Sequence, residues 1–321
     1  MLQSEFTSKD TSSPRVIFLG MQSNFSYPSL RALLAAGVEI CAVVMSGGRS
    51  EQGMPALRQL KPPSRRRVLL PVNQSSLHTS VQQIAWDRAI PLWEVASMAD
   101  PAVSELFSGY RPDLLCVACF SRLIPPSILA IPRLGALNVH PSLLPRNRGP
   151  EPLFWTFRLG MERSGVTIHL MNEKLDSGDI IVQQEIEIPE GISYAELEEQ
   201  TAALGGELLV RAVKDIACGR ATRRPQDESQ SSFYPYPSRR DFIIYSAEWD
   251  ARHVYNFICG MKDWGEPLTL VADAELTLDV EDALVYSYKA NDLRLQTSER
   301  DAWPIRCKQG KVVVKGKPHR A

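Results

Sequence analysis

The sequence predicts an α/β fold: a doubly wound, mostly parallel sheet followed by a small β-rich C-terminal domain. Two observations carry this. From Arg15 to Gly219, short apolar runs alternate with helix-period segments, the pattern of strand–helix–strand crossovers that wind a parallel sheet. A polar stretch with three prolines, Arg220 to Pro237, then interrupts the pattern, and mainly short apolar runs follow. With 321 residues the chain is long enough for one large and one small domain. The expected division is a disordered tail over 1–14, a main domain over 15–219, a linker over 220–240 and a β-rich domain over 241–321.

Taken in order, Arg15 to Gly20 reads as a first strand, Tyr27 to Ala36 as a helix and Val38 to Met45 as a second strand. The turn after Gly20 lacks GxGxxG, which argues against a dinucleotide site. Ser46 to Pro63 is rich in Gly and Pro and reads as a long irregular loop, a length often tied to function. Arg65, Arg66 and Arg67 follow it, either as a solvated turn or as contacts for anionic groups, and lead into the apolar run Val68 to Val72. Val81 to Arg88 is a helix, Ile90 to Val95 a strand, Ala102 to Tyr110 a helix and Asp113 to Cys119 a buried strand. A helical turn at Ser127 to Ala130 precedes the strand carrying Asn138. Glu151 to Leu159 is a helix with prolines tolerated at its start. Val166 to Met171 and Ile180 to Ile188 are strands. Ser193 to Cys218 is a long helix, opened by a Ser193/Glu196 capping box and stopped by Gly219. Beyond the linker, Asp250 to Met261 is a short helix. Short strands follow at Leu268–Val271, Leu284–Tyr288, Trp303–Cys307 and Lys311–Val314.

Composition narrows the functional classes. At 44% hydrophobic and 23% charged, the chain reads as an ordinary globular protein. No run of eighteen apolar residues calls for a membrane span. Met1 to Arg15 is polar, without the basic start and apolar core of a secretory signal, so cytoplasmic localisation is expected. Cys116 and Cys119 have a metal-like spacing, but on a strand they face opposite ways. Buried free thiols in a reducing compartment are expected, and no metal. Net charge is −1, and the segment from Ser238 onward balances basic against acidic residues, so no broad basic face for a nucleic acid is advertised.

The chemistry concentrates in two segments. Ala136-Leu-Asn-Val-His140 reads as a strand ended by Pro141. Residues two apart share a face, so Asn138 and His140 point one way at the strand's end. Some thirty-five residues on, Asp176 sits in the turn Leu175-Asp-Ser-Gly-Asp, just before another apolar strand. An amide donor, an imidazole and a carboxylate are the parts that acyl transfer to an amine requires. No GxSxG elbow and no motif cysteine offers a covalent nucleophile.

The run Asn138-Val-His-Pro-Ser-Leu-Leu-Pro-Arg-Asn-Arg-Gly149, then Gly165-Val-Thr-Ile, then Leu175-Asp-Ser-Gly-Asp-Ile180, resembles the signature of the 10-formyltetrahydrofolate-dependent formyltransferases. Within them it resembles the methionyl-tRNA formyltransferases and relatives that formylate amino sugars or other small amines. The resemblance covers about Val16 to Gly219. It implies a formyltransferase-type fold and catalysis by Asn138, His140 and Asp176. It implies 10-formyltetrahydrofolate as co-substrate, held mainly by backbone groups of Arg122, Leu123 and Ile124 and of Asn172, Glu173, Lys174 and Leu175. The segment Ser142, Leu143, Leu144 and Pro145 matches the family's folate-contacting loop. The implied partners are the folate and an amine acceptor, first of all initiator methionyl-tRNA. An amino-sugar nucleotide, another small amine, or water in a hydrolase is the alternative acceptor. Oligomeric state is not legible. The chain departs from the tRNA-enzyme pattern at Asn147, where an aromatic is usual, at Pro150-Glu151-Pro152, where Ala-Ala-Pro is usual, and in its shorter C-terminal segment. These departures bear on the acceptor and leave the formyl chemistry intact.

Overall fold

The computed structural model describes residues 13–47, 56–62, 80–289, 291–296, 299 and 301–319. The Arg65–Arg67 cluster and the run Val68 to Val72 lie outside them. The chain divides into two compact units. One holds residues 1–139, 170–173 and 206–223; the other holds 140–169, 174–205 and 224–321.

In the first unit the strands are β1 (Arg15–Gly20), β2 (Glu39–Ser46), β3 (Leu57–Gln59), β4 (Leu92–Val95), β5 (Leu114–Ala118) and β6 (Ala136–His140). They stand in the order β3-β4-β2-β1-β5-β6. The helices between them are α1 (Ser26–Ala35), α2 (Val81–Asp87), α3 (Pro101–Tyr110) and α4 (Pro126–Leu129). All neighbouring pairs are parallel except β3 with β4. Val16, Ile17, Phe18 and Leu19 of β1 are fully buried, as a strand covered by helices on both faces must be. From β1 the chain winds first to β2 and later to β5 on the other side. The carboxyl ends of β1 and β5 therefore form a topological switch point, the usual place for a ligand in such a sheet. Helix α1 is tied there by the Ser26 hydroxyl, which donates to the Ala118 carbonyl at 2.6 Å. A core of Ile17, Leu19, Val44, Phe107, Leu115 and Val117 fills one face of the sheet.

Two details differ from the sequence reading. The irregular stretch Ser46 to Pro63 contains β3, whose backbone pairs with β4 although only Leu57 has an apolar side chain to offer. The thiols are not uniformly buried. Cys116 is buried, and burial pushes its thiol well up. Cys119 lies one residue beyond β5, in the left-handed region at φ +55°, and is exposed.

In the second unit, helix α5 (Pro152–Arg158) is followed by β7 (Arg163–Leu170) and β8 (Ile180–Glu187), an antiparallel pair. Helix α6 (Tyr194–Ala217) begins in this unit with the predicted capping box: Glu196 accepts from the Ser193 N–H at 3.0 Å, and Ser193 Oγ accepts from the Glu196 N–H at 3.2 Å. A second sheet contains β9 (Ile243–Tyr245), β10 (Leu268–Val271), β11 (Thr277–Ser287), β12 (Ala302–Arg306) and β13 (Lys311–Pro318), in the order β12-β13-β11-β10-β9. β9 escaped the sequence reading because three residues carry too little pattern. Helix α7 (Ala251–Met261), capped by the Asp250 carboxylate, packs on this sheet. Its core is shared with α5 and the start of α6: Phe154, Phe157 and Leu197 meet Phe242, Phe257, Ile258 and Leu270.

The segment from Arg224 to Pro237 is pinned at several points. Ile180 exchanges two backbone hydrogen bonds with Arg224, and Arg148 exchanges bonds with Ser232 and Tyr234. Tyr234 stacks on Trp155 at 4.7 Å, and the Trp155 indole donates to the Pro235 carbonyl at 2.9 Å.

Candidate active site

Strand β6 ends at His140 because Pro141 has no N–H to continue the ladder. Leu137 and Val139 are buried, as expected for the face opposite Asn138 and His140. Asn138 is partly buried, in register with Val117 of β5. His140 is 4% exposed.

The chain after His140 loops back onto its ring. The Asn147 carbonyl lies 2.9 Å from His140 Nε2. A carbonyl only accepts, so Nε2 carries the hydrogen and donates it. That fixes the tautomer and turns Nδ1 toward Asp176, whose Oδ1 is 3.8 Å away. Asn147 reaches this position in the left-handed region, φ +56°, with its side chain buried and its amide donating to Met161 Sδ at 3.3 Å. Asn is among the few residues that tolerate such a φ. The backbone carbonyl of Asn147, not its side chain, touches the histidine.

Asp176 is 7% exposed and also in the left-handed region, φ +50°. Its Oδ2 accepts the Gly149 N–H at 2.9 Å. Its Oδ1 faces a second imidazole as well: His169 Nε2 is 3.7 Å away, and His169 is 2% exposed. The two imidazole rings stand edge-on, 6.4 Å apart. The Asp176 carbonyl accepts from Gln226 Nε2 at 2.8 Å, and that amide also serves the Gly178 carbonyl at 2.7 Å. Gln226 Oε1 in turn accepts from Arg148 Nη2 at 2.7 Å. Arg148 forms a two-pronged pair with Glu228, at 2.8 and 2.9 Å, and its guanidinium holds that exposed carboxyl below the usual range. A bidentate pair of this kind fixes orientation as well as distance.

Of the expected catalytic residues, His140 and Asp176 are thus brought into one buried cluster, and Asn138 stands two residues before His140 on the same strand face. His169, Gln226 and Arg148 were missed. His169 left a trace: in Val166-Thr-Ile-His169 the polar residues alternate with apolar ones on a strand, and Thr167 and His169 are both buried. Gln226 left none, lying in a stretch that is polar throughout.

The expected folate-contacting residues fall into three groups. Arg122 donates to the Gly47 carbonyl at 2.7 Å, Ile124 packs against the core, and Leu123 is 84% exposed. Asn172, Glu173 and Lys174 are exposed, and Leu175 is half exposed. Ser142, Leu143, Leu144 and Pro145 are held from behind. Thr167 Oγ1 donates to the Ser142 carbonyl at 2.6 Å, and Gln183 Nε2 donates to the Leu144 carbonyl at 2.9 Å. A Cβ added to Gly165 would run into the Gln184 carbonyl oxygen on β8 and stand 2.5 Å from Leu143 Cδ2, so the close pairing of β7 with β8 beside this loop needs glycine. The Leu144–Pro145 peptide is cis.

Comparison with known proteins matches residues 15–213 to the Formyl transferase family. A methionyl-tRNA formyltransferase of Syntrophus aciditrophicus (strain SB) is 37% identical over 247 residues, 77% of this chain and 72% of that protein. One from Citrifermentans bemidjiense is 28% identical over 306 residues, 94% of this chain and 87% of that protein. Among solved structures, the N-formyltransferase from Helicobacter canadensis in complex with folinic acid and dTDP-3-aminofucose aligns with a TM-score of 0.66 at 14% identity. That alignment covers 95% of this chain and 99% of that one, a likeness of fold.

Proposed function

The chain belongs to the formyl transferase family, and on that premise we propose that it moves the formyl group of 10-formyltetrahydrofolate to the amino group of methionyl-tRNA. The observation that carries the reading is the buried His140–Asp176 pair at the end of β6, with Asn138 on the same strand face. The relatives that cover most of the chain at 37% and 28% identity carry that acceptor in their names.

In this reading the acceptor amine attacks the formyl carbon and its carbonyl oxygen becomes an oxyanion. Asn138 donates its NH₂ to that oxygen; one such donor is worth about 3 kcal/mol. The bond from carbon to the folate nitrogen then breaks, and the proton lost by the amine ends on that nitrogen. His140 and Asp176 move this proton. The imidazole is anchored through Nε2, so Nδ1, backed by the Asp176 carboxylate, takes the proton from the amine and returns it to the folate nitrogen. The gap of 3.8 Å suits one bridging water or a small closure on substrate binding. Leu175 supplies apolar surface for the flat pterin, and the backbone groups near it and in Ser142 to Pro145 supply polar contacts. A small amine acceptor is the second reading, favoured by Glu151, a carboxylate where the tRNA enzymes usually carry alanine.

The test incubates the protein with 10-formyltetrahydrofolate and, separately, initiator methionyl-tRNA, an amino-sugar nucleotide or no acceptor. Mass spectrometry then finds the formyl group. Formylmethionyl-tRNA supports the reading. A formylated sugar with tRNA ignored supports the second, and formate released without acceptor makes the protein a hydrolase.

A further inference from the structure

Glu151 lies two residues beyond the glycine whose N–H holds Asp176, so its backbone is within about 7 Å of that glycine along the chain. Its side chain is half-buried. Burial raises the carboxyl above its usual range, against a hydrogen bond from Tyr194 that lowers it, and Glu198 nearby adds to the rise. Among the described residues no basic side chain is paired with it. The side chain that touches it is aromatic, and that ring has aromatic neighbours. The Tyr194 hydroxyl donates to Glu151 Oε2 at 3.3 Å, and Trp264 hydrogen-bonds the same phenol. The Tyr194 and Trp264 rings meet edge-on at 6.2 Å, and Tyr236 lies 6.3 Å from Trp264. Burial pushes the Tyr236 phenol up, and the charges of Glu151 and Glu266 add to the rise. Tyr194 and Trp264, with Ser193, Ala195, Gly260 and Asp263, line a cavity of about 320 Å³.

A half-buried carboxylate without a cation is costly to hold charged. Aromatic faces attract cations, and a carboxylate hydrogen-bonded to Tyr194, the first of three neighbouring rings at the edge of this cavity, is the chemistry that recognises an ammonium group. An α-amino group titrates near 7.7–8.0 and arrives at neutral pH mostly as the ammonium. We propose that Glu151, Tyr194, Tyr236 and Trp264 form a receiving site for the acceptor's primary ammonium group, selecting amines before the formyl transfer step. The inference rests on the formyl-transfer reading for its purpose, and on the geometry of these four residues for its existence.

The experiment uses the full chain without folate and two probes: methionine methyl ester, which carries the ammonium, and the methyl ester of 4-(methylsulfanyl)butanoic acid, which lacks it. Binding is followed by calorimetry, in parallel with a transfer assay. The wild type should bind the amino ester roughly tenfold tighter than the analogue, and Glu151→Gln should erase that preference. Tyr236→Ala, at an exposed position that leaves folding intact, should weaken the amino ester by several-fold. In transfer, Glu151→Gln should raise KM for the acceptor and leave KM for the folate unchanged. Equal binding of the two esters, no binding of either, or a Glu151→Gln protein with wild-type preference overturns the site and leaves Glu151 a structural tie to Tyr194. If the wild type formylates no amine yet prefers the amino ester through Glu151, the transfer reading falls and the site stands.

Discussion

His169 and Asp176 meet inside the protein, with His169 Nε2 3.7 Å from Asp176 Oδ1. The same oxygen faces His140 Nδ1 at 3.8 Å. One carboxylate oxygen therefore serves two imidazoles, while the other is held by the Gly149 N–H at 2.9 Å. His169 limits how Asp176 can turn and keeps Oδ1 opposite His140. His169→Ala should lower kcat about tenfold, the factor that corresponds to 1.4 kcal/mol of lost positioning, and leave KM for the folate unchanged. Steady-state kinetics check this, and His169→Gln, which keeps a polar side chain facing the carboxylate, should recover part of the loss.

Asp176→Asn keeps the shape and removes the charge. It can still accept from Gly149 through its carbonyl oxygen, so the fold should hold. Transfer should fall roughly a hundredfold to ten-thousandfold, the range expected when a positioned acid–base group is lost. Single-turnover rates measure the loss, and folate affinity should stay within a factor of about two, because the charge acts on the transition state.

Gly149 holds a position that no other residue fits. Its φ is +120°, and a Cβ there would run into the Tyr234 carbonyl oxygen. Gly149→Ala should cost about 3 kcal/mol or more. It should also draw the N–H away from Asp176, so urea denaturation and kcat should both report it.

His253 gives the fold a pH dependence of its own. It stacks flat on Trp249, 3.9 Å between centroids, and its Nε2 donates to the Phe157 and Arg158 carbonyls at 3.3 and 3.1 Å. Burial lowers its pKa below the ordinary 6.5, opposed by those carbonyls and by Asp250 and aided by Arg158. A lowered value means that the unfolded chain takes the proton first as pH falls. The stability this neutral imidazole contributes is present above 6.5 and is lost progressively below it. Tm should fall between neutral pH and pH 5, and His253→Gln should flatten that slope.

The main sheet and the place of the candidate pair His140–Asp176 were legible in the sequence for physical reasons. Buried parallel strands such as Val16–Leu19 and Leu114–Ala118 read as plain apolar runs, and Pro141 fixed where β6 stops. Strand alternation set Asn138 and His140 on one face. Ser193 and Glu196 announced the start of α6 in two residues. What escaped depends on contacts across the chain. β3 exists through backbone pairing with β4, and β9 is three residues long. Gln226 and Arg148 hold Asp176 and Glu228 over separations of 50 and 80 residues, which no local pattern encodes. The Asn147 departure became clear only once its left-handed φ and its carbonyl contact with His140 were visible.

In the proposed reaction Asn138, His140 and Asp176 assist direct transfer of a formyl group from folate to an amine. It is tested most directly with ¹³C-formyl-labelled 10-formyltetrahydrofolate and methionyl-tRNA, by following the label in one turnover of wild type and Asp176→Asn. The wild type should place the label in the amide of formylmethionyl-tRNA, with one tetrahydrofolate released for each, and the variant should hold the folate with its label in place. Label released as formate, label left on the folate by the wild type, or a variant as fast as the wild type would contradict it.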